Sequence, residues 1–257
     1  MQDTVVIQSH RSPLPYSWIS VCLETVRDWA DRNNYAYQWL GDDLFAHVPD
    51  AILEKTRDQR VIATDIARLS VLARALENTY RGAVWLDADF LIFDPDNFEL
   101  PGIPYAVGRE VWVQQDARQN LKVYKKVHNA FLMFRRENSF LDFYRDAAER
   151  MIYMNHGSMP PQFVGPKLLT AIHNTVHLPV FEKAAMLSPL VVLDLLKGGG
   201  RALDLFNARS GEPPAGANLC SSSCDLHAVT PEQMQRLTEI MLHGGGDLFQ
   251  LRAHSGT

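Results

Sequence analysis

Two carboxylates end a continuous apolar run in Ala83-Val84-Trp85-Leu86-Asp87-Ala88-Asp89, where a buried strand has no other use for charge. In extended backbone, residues two apart project to the same side, so Asp87 and Asp89 can both face one point beyond the strand. Carboxylate oxygens suit Mg²⁺ or Mn²⁺, and two of them leave coordination positions open for water and for diphosphate oxygens. The plainer alternative is a pair of turn residues, since aspartate is common where strands stop. The run Phe90-Leu91-Ile92-Phe93 that follows favours a functional pair, because a solvated turn seldom interrupts so apolar a segment. Upstream, Asp65 and Arg68 are three residues apart, hence neighbours on one helical face near its N-terminus. Taken alone, they read as an intrahelical ion pair.

Such residues need strands that stop at one edge and helices that cover the sheet. Thr4 to Ser9 is a short β-branched strand. Ile19, Cys22, Leu23, Val26, Trp29 and Ala30 recur at three-and-four spacing, which predicts a helix that Ser17 can cap. Tyr35 to Leu40 reads as a second strand. A helix capped by Thr64 runs to about residue 78, with Ile66, Leu69, Ala73 and Leu76 inward. Strands are expected at 83–86, from Tyr105 to Val113 and from Asn129 to Phe134. A helix from Phe140 to Met151 should turn Phe140, Phe143, Tyr144, Ala147 and Met151 inward. Gly211 to Cys224 reads as a surface loop, and Val111 to Lys126 as a mobile, charged loop of the kind that builds acceptor pockets. The last helix, Thr230 to His243, has Thr230 at its cap, Pro231 in its first turn, Gln233 three after the cap and Gly244 past its end. Strand and helix alternate, so the class is α/β, with a central, mostly parallel sheet flanked by helices.

At 257 residues and 46% hydrophobic, the chain can bury one full core, which predicts a single domain over residues 1–257. Lys plus Arg number 25 against 30 Asp plus Glu, a net charge of −5, which argues against a nucleic-acid partner. No apolar run is long enough to span a bilayer and the N-terminus lacks signal-peptide regions, so a cytoplasmic location is expected, with peripheral membrane contact left open. Cys220-Ser-Ser-Ser-Cys224 has no second cysteine pair beside it, so a zinc site is not expected there.

The order Asp65-Ile66-Ala67-Arg68, an apolar helix, Gly82, then Trp85-Leu86-Asp87-Ala88-Asp89 resembles the Asp-x-x-Arg and Gly-Gly-x-Tyr-x-Asp-x-Asp signature of glycosyltransferases with a DXD sugar-binding region. That group includes capsular-polysaccharide, mannosyl and clostridial-toxin-type enzymes. Tyr35 to Leu44 is similar to its strand ending in acidic residues, His128-Asn129-Ala130-Phe131 to its asparagine strand, and Val164-Gly165-Pro166-Lys167 to its Gly-Pro segment. The likeness covers residues 4 to 175. Only Gly82 stands where the family has two glycines, and the helix between Arg68 and Asp87 is longer than usual.

The resemblance implies a GT-A sandwich that uses Mn²⁺ or Mg²⁺ to move a sugar from a UDP- or GDP-sugar to a hydroxyl of a carbohydrate or glycolipid, with retention. It further implies a place in polysaccharide or glycoconjugate synthesis. By position, Asp87 would meet the donor and the metal, Asp89 the metal, and Asp65 and Arg68 the hydroxyls of the transferred sugar. Gln8 and His10 would meet the nucleotide, while Asn129, Gly165 and Pro166 would border the donor sugar. His254 is the expected third metal ligand, with His227 second. The residues single out no catalytic base. An alternative class is a haloacid-dehalogenase-like phosphohydrolase with Asp87 as nucleophile, which also sets Asp-x-Asp after an apolar strand.

Overall fold

A computed structural model describes residues 2–226 and 228–250. Its strands are β1 (Thr4–Ser9), β2 (Ala36–Leu40), β3 (Gly82–Leu86), β4 (Phe90–Ile92), β5 (Tyr105–Gln115), β6 (Leu121–Arg135), β7 (Val180–Phe181), β8 (Ala184–Met186) and β9 (Gly216–Asn218). The helices are α1 (Ser17–Arg32), α2 (Asp50–Lys55), α3 (Arg60–Asn78), α4 (Phe140–Met154), α5 (Pro166–Val176), α6 (Pro189–Leu196), α7 (Arg201–Arg209), α8 (Ser222–Asp225) and α9 (Pro231–Gly244). Six strands form the central sheet in the order β2-β1-β3-β6-β5-β7, and β4-β9-β8 form a second, smaller sheet. β1 runs parallel to β2 and β3, and β5 to β7, whereas β6 is antiparallel to both β3 and β5. The chain is therefore α/β, with a central sheet flanked by helices. Among the described residues, no helix is long and apolar enough to cross a membrane.

Strand periodicity explains the layering. Successive side chains of a strand point to opposite faces. Val5, Ile7, Ala83 and Trp85 accordingly face α3, α4 and α5, where they pack with Ile66, Leu69, Tyr144 and Leu169. Val6, Val84 and Leu86 face the other way, onto Val26 and Trp29 of α1. All of β3 is buried, as an apolar strand covered on both faces must be. Asp87 and Asp89 follow it directly, so the acidic pair interrupts an apolar segment that resumes, buried, at Phe90.

Several boundaries differ from expectation, each for a local reason. Ser17 is the first residue of α1 and Tyr16 its cap, without a side-chain capping bond. α3 begins at Arg60, because the buried Ile62 and Ala63 continue its apolar stripe upstream. Thr64 is thus interior, its hydroxyl donating to the Arg60 carbonyl at 3.2 Å, and Asp65 and Arg68 sit well inside the helix. On α4 the buried stripe is Phe140, Leu141, Tyr144, Ala148 and Ile152, which leaves Phe143 55% exposed. Residues 111–126 are not a loop but most of a hairpin, β5 and β6 closed at Asp116–Asn120. Asp116 Oδ1 accepts the backbone N–H groups of Arg118 and Asn120 at 2.8 and 2.9 Å and so shapes that turn. Residues 211–224 are not a surface loop either, since they contain the fully buried β9. At α9 the expected capping box is present, Thr230 and Gln233 satisfying each other's backbone N–H. Gly244 is its last residue, and Gly245, at φ 54°, ends it.

Candidate functional site

β3 stops at Leu86, and the next residues leave the extended geometry. The Phe90 N–H donates to the Asp87 carbonyl at 3.0 Å, which closes a β-turn over Asp87-Ala88-Asp89. The acidic pair is therefore carried on a turn between two buried strands, and not on the strand itself. Backbone and side-chain bonds hold the turn from both sides. The Asp87 N–H donates to Ala130 O at 2.9 Å across β6. Gln8, fully buried at the end of β1, donates to the Asp87 carbonyl at 3.1 Å and accepts from the Tyr37 hydroxyl at 3.1 Å. Both ends of that amide are engaged within the protein, so Gln8 anchors the turn. His10 stands just past β1, half-buried, with Nδ1 3.1 Å from the Arg11 carbonyl.

Four of the expected residues converge beside this turn. Arg68 points from α3 under the end of the sheet, 6% exposed. Its Nη1 donates to the Asn129 carbonyl at 2.8 Å and lies 3.3 Å from Asp87 Oδ1, while Nη2 lies 3.6 Å from Asp65 Oδ1. Its guanidinium carbon stands 5.3 Å above the Trp85 ring, within cation–π range. The Trp85 indole N–H in turn donates to Asp87 Oδ1 at 2.6 Å. Asn129 donates its amide to Asp65 Oδ1 at 2.8 Å. Asp65 is 3% exposed, and its Oδ2 is buried without a hydrogen-bond partner, as is Arg68 Nε.

Gly165, just before α5, closes this pocket from above. A Cβ there would lie 2.6 Å from Asp65 Oδ2 and 2.8 Å from Asn129 Nδ2, closer than real side chains come. Gly165→Ala should therefore push Asp65 and Asn129 apart and destabilise the protein by about 2 kcal/mol, the ordinary cost of overpacking. Chemical denaturation reads the change, and an alanine variant as stable as the wild type would mean that the pocket is looser than these distances. Pro166 follows as the first residue of α5, where its missing N–H costs nothing.

Asp89 is held by residues that sequence reasoning missed. Asn218 Nδ2 donates to its Oδ1 at 2.6 Å and the Ser221 N–H to its Oδ2 at 2.7 Å. Asn218 is itself fixed, its Oδ1 accepting the Cys220 N–H at 2.9 Å. Cys220 adopts φ 54° there, so a left-handed turn after β9 wraps the Asp89 carboxylate. Trp85 and Tyr144, both core residues, also bond to the site through their polar atoms. Tyr144 is fully buried, and its hydroxyl donates to the Val164 carbonyl at 2.9 Å, tying α4 to the Gly165 turn.

The electrostatics follow from this packing. Burial raises the Asp87 carboxyl to about 6, with Asp89 adding to the rise and Arg68 and the Trp85 indole opposing it. Burial also raises Asp65, against Arg68 and Asn129. Two carboxylates that repel each other are hard oxygen donors whose repulsion a divalent cation relieves. That donor set fits Mg²⁺ or Mn²⁺. Among the described residues, no group of three or more His, Cys, Asp or Glu side chains converges as a metal cage; His254 and His227 lie outside the described residues. The three cysteines are free and buried, and desolvation pushes the Cys22 and Cys220 thiols well up, keeping them neutral. Nothing in this geometry favours Asp87 as a phosphohydrolase nucleophile; its Oδ1 is engaged by Trp85 and Arg68.

No family model and no curated protein sequence matches the chain. Among solved structures, it is similar to a glycosyltransferase involved in the glycosylation of the major capsid of PBCV-1, at 10% identity over 91% of this chain and 98% of that one, with a TM-score of 0.48. It is also similar to the galactosyltransferase LgtC in complex with donor and acceptor sugar analogues, at 11% identity over 91% of this chain and 95% of that one, with a TM-score of 0.47.

Proposed function

We propose that the chain is a metal-dependent glycosyltransferase that moves a sugar from a UDP- or GDP-sugar to a hydroxyl of a carbohydrate or glycolipid acceptor. The observation that carries this reading is the convergence of Asp65, Arg68, Asn129 and Asp87 where β3 ends, with one buried polar atom of Asp65 and one of Arg68 left without a partner. Unpartnered buried polar atoms are costly in a structural ion pair and useful in a pocket that a polyhydroxylated ligand completes. The crevice beyond the carboxyl ends of strands is also where open α/β sheets bind ligands.

In this reading Asp87 and Asp89 would hold Mn²⁺ or Mg²⁺. When bound, the ion supplies Lewis-acid neutralisation of charge on the departing diphosphate. The chain's own residues do the positioning. Asn218 and the Ser221 N–H fix Asp89 in one orientation, and the Trp85 indole does the same for Asp87. Asp65 and Arg68 offer an acceptor and a donor to sugar hydroxyls, which orients the anomeric carbon. Retention of configuration, and a place in polysaccharide or glycoconjugate synthesis, rest on the motif resemblance. The test is transfer and donor hydrolysis measured with Mn²⁺ over a panel of UDP-, GDP- and dTDP-sugars. Wild type should turn over at least one donor only with the metal, and Asp89→Ala should lower turnover about 10²-fold, the scale on which removing one electrostatic group acts. Undiminished turnover in a folded Asp89→Ala protein would overturn the reading.

A further inference from the structure

The β5–β6 hairpin reaches past the rest of the sheet. β6 pairs with β3 only over Phe131–Arg135, whereas residues 121–128 of β6 pair with β5 alone. That extension lies beyond the carboxyl end of β3, on the side of the acidic turn. Cross-strand partners share a face, and the register sets Glu110 opposite Lys126 and Trp112 opposite Tyr124. On the other face, Val111 and Val113 pack into the core with Leu121 and Val123. One face is thus accounted for by burial, and the other carries an acid, an ammonium group and two aromatic rings.

That second face carries a cross-strand ion pair and a cross-strand aromatic pair. Glu110 is 7% exposed, so its carboxylate depends on that partner. Lys126 Nζ lies 3.7 Å from Glu110 Oε1 and 5.4 Å from the centre of the Tyr124 ring. Tyr124 itself remains 42% exposed, and Trp112 half-buried. The Asp87 N–H donates to Ala130 O, and Ala130 lies four residues along β6 from Lys126, so the hairpin extension and the acidic turn meet on one strand. Burial raises the Glu110 carboxyl, against Lys126.

Aromatic faces stack on the C–H face of a pyranose, while a carboxylate and an ammonium group take its hydroxyls in both senses, as acceptor and donor. We propose that this face of the hairpin is the acceptor subsite, with Trp112 and Tyr124 stacking on a pyranose of the acceptor and Glu110 and Lys126 holding the hydroxyl to be glycosylated. The proposal rests on the glycosyltransferase reading above and adds the substrate class and the surface that takes it.

The experiment is saturation-transfer NMR on the full chain with methyl glucopyranoside, methyl galactopyranoside and methyl mannopyranoside as probes, alongside calorimetric titration of UDP and GDP with Mn²⁺. Wild type should transfer saturation to the ring protons of at least one pyranoside. Tyr124→Ala, at an exposed position, and the near-isosteric Glu110→Gln should each weaken that pyranoside about tenfold, the equivalent of ~1.4 kcal/mol. Nucleotide affinity in the same variants should move by less than about twofold, which separates lost acceptor contact from lost fold. No pyranoside bound by wild type, or equal binding by wild type and both variants, would overturn the subsite. Pyranoside binding that depends on Tyr124 in a chain that takes no nucleotide would support the subsite and sink the glycosyltransferase reading instead.

Discussion

Arg68→Leu is expected to destabilise the protein by about 3–5 kcal/mol, the cost of leaving a buried charge without its partner. The side chain has four partners: the Asn129 carbonyl, Asp87, Asp65 and the Trp85 ring. Side-chain exposure is 7% for Arg68 and 4% for Asp65, against 27% for Asp87, so water can take over part of the solvation of Asp87 but not that of Asp65. Leucine fills much of the volume but supplies no charge, and Asp65 would then have to bind a proton or drag water into the core. Arg68→Lys should recover only part of the loss, because a single ammonium point cannot reach a carbonyl and two carboxylates at once as a planar guanidinium does. Urea denaturation of the three proteins provides the comparison. Adding Asp65→Asn to Arg68→Leu should return part of the stability, since it removes one of the stranded charges. A leucine variant within about 1 kcal/mol of wild type would mean that the carboxylates are compensated by something other than Arg68.

That ion cluster shows which parts of the site a sequence can reveal. Asp65 and Arg68 lie three apart on one helix, so local periodicity places that pair on one surface, whereas Asp87 and Asp89 follow an apolar strand on a turn that strand periodicity does not describe. Asn129 and Gly165 came from motif order as neighbours of the donor sugar, and in the structure both lie against Asp65. Asn218 gave no such signal. β9 is Gly216-Ala217-Asn218, without a β-branched or alternating residue, and it reads as loop. The composition is small because the site is crowded: a Cβ on Gly216 would lie 2.6 Å from the Phe90 ring. A strand that must be small to fit between two layers loses the pattern by which strands are found. The hairpin failed differently. Its period of two was present in Leu121, Val123 and Val127, but the exposed partners Lys122, Tyr124, Lys125 and Lys126 weigh more in a composition reading. Thr64 looked like a helix cap because Thr is a good one, and the apolar Ile62 and Ala63 outweighed it. The fold class and the acidic turn were therefore legible locally, whereas the groups that hold Asp89 belong to a second sheet that only tertiary packing creates.

The stability of the metal-free protein should change little between pH 4 and 6.5 on account of the site, because its acids and His128 shift stability in opposite senses. Asp87 titrates at about 6 in the folded chain, above its ordinary 3.8. Folding therefore favours its protonated form, and that contribution, at most about 3 kcal/mol, is present at low pH and is lost as pH rises through 6. Asp65, also raised by burial, acts in the same direction. His128, adjacent to Asn129, is fully buried with the Ala130 N–H donating to its Nδ1 and Nε2 facing the Ala184 carbonyl, both at 3.1 Å. That pairing fixes a neutral ring, and burial lowers it to about 4. Below its ordinary 6.5 the unfolded chain takes up a proton that the folded chain refuses, so stability falls by about 3 kcal/mol as pH drops from 6.5 to 4. The two slopes oppose each other over the same window. Asp87→Asn should uncover the histidine, with stability decreasing as pH falls, and His128→Gln should uncover the acids, with stability decreasing as pH rises. Urea midpoints measured in EDTA across that range give both slopes. Slopes of the same sign in the two variants would show that the acidic turn and His128 do not offset each other, and that the carboxyl end of β3 is wetter than its packing implies.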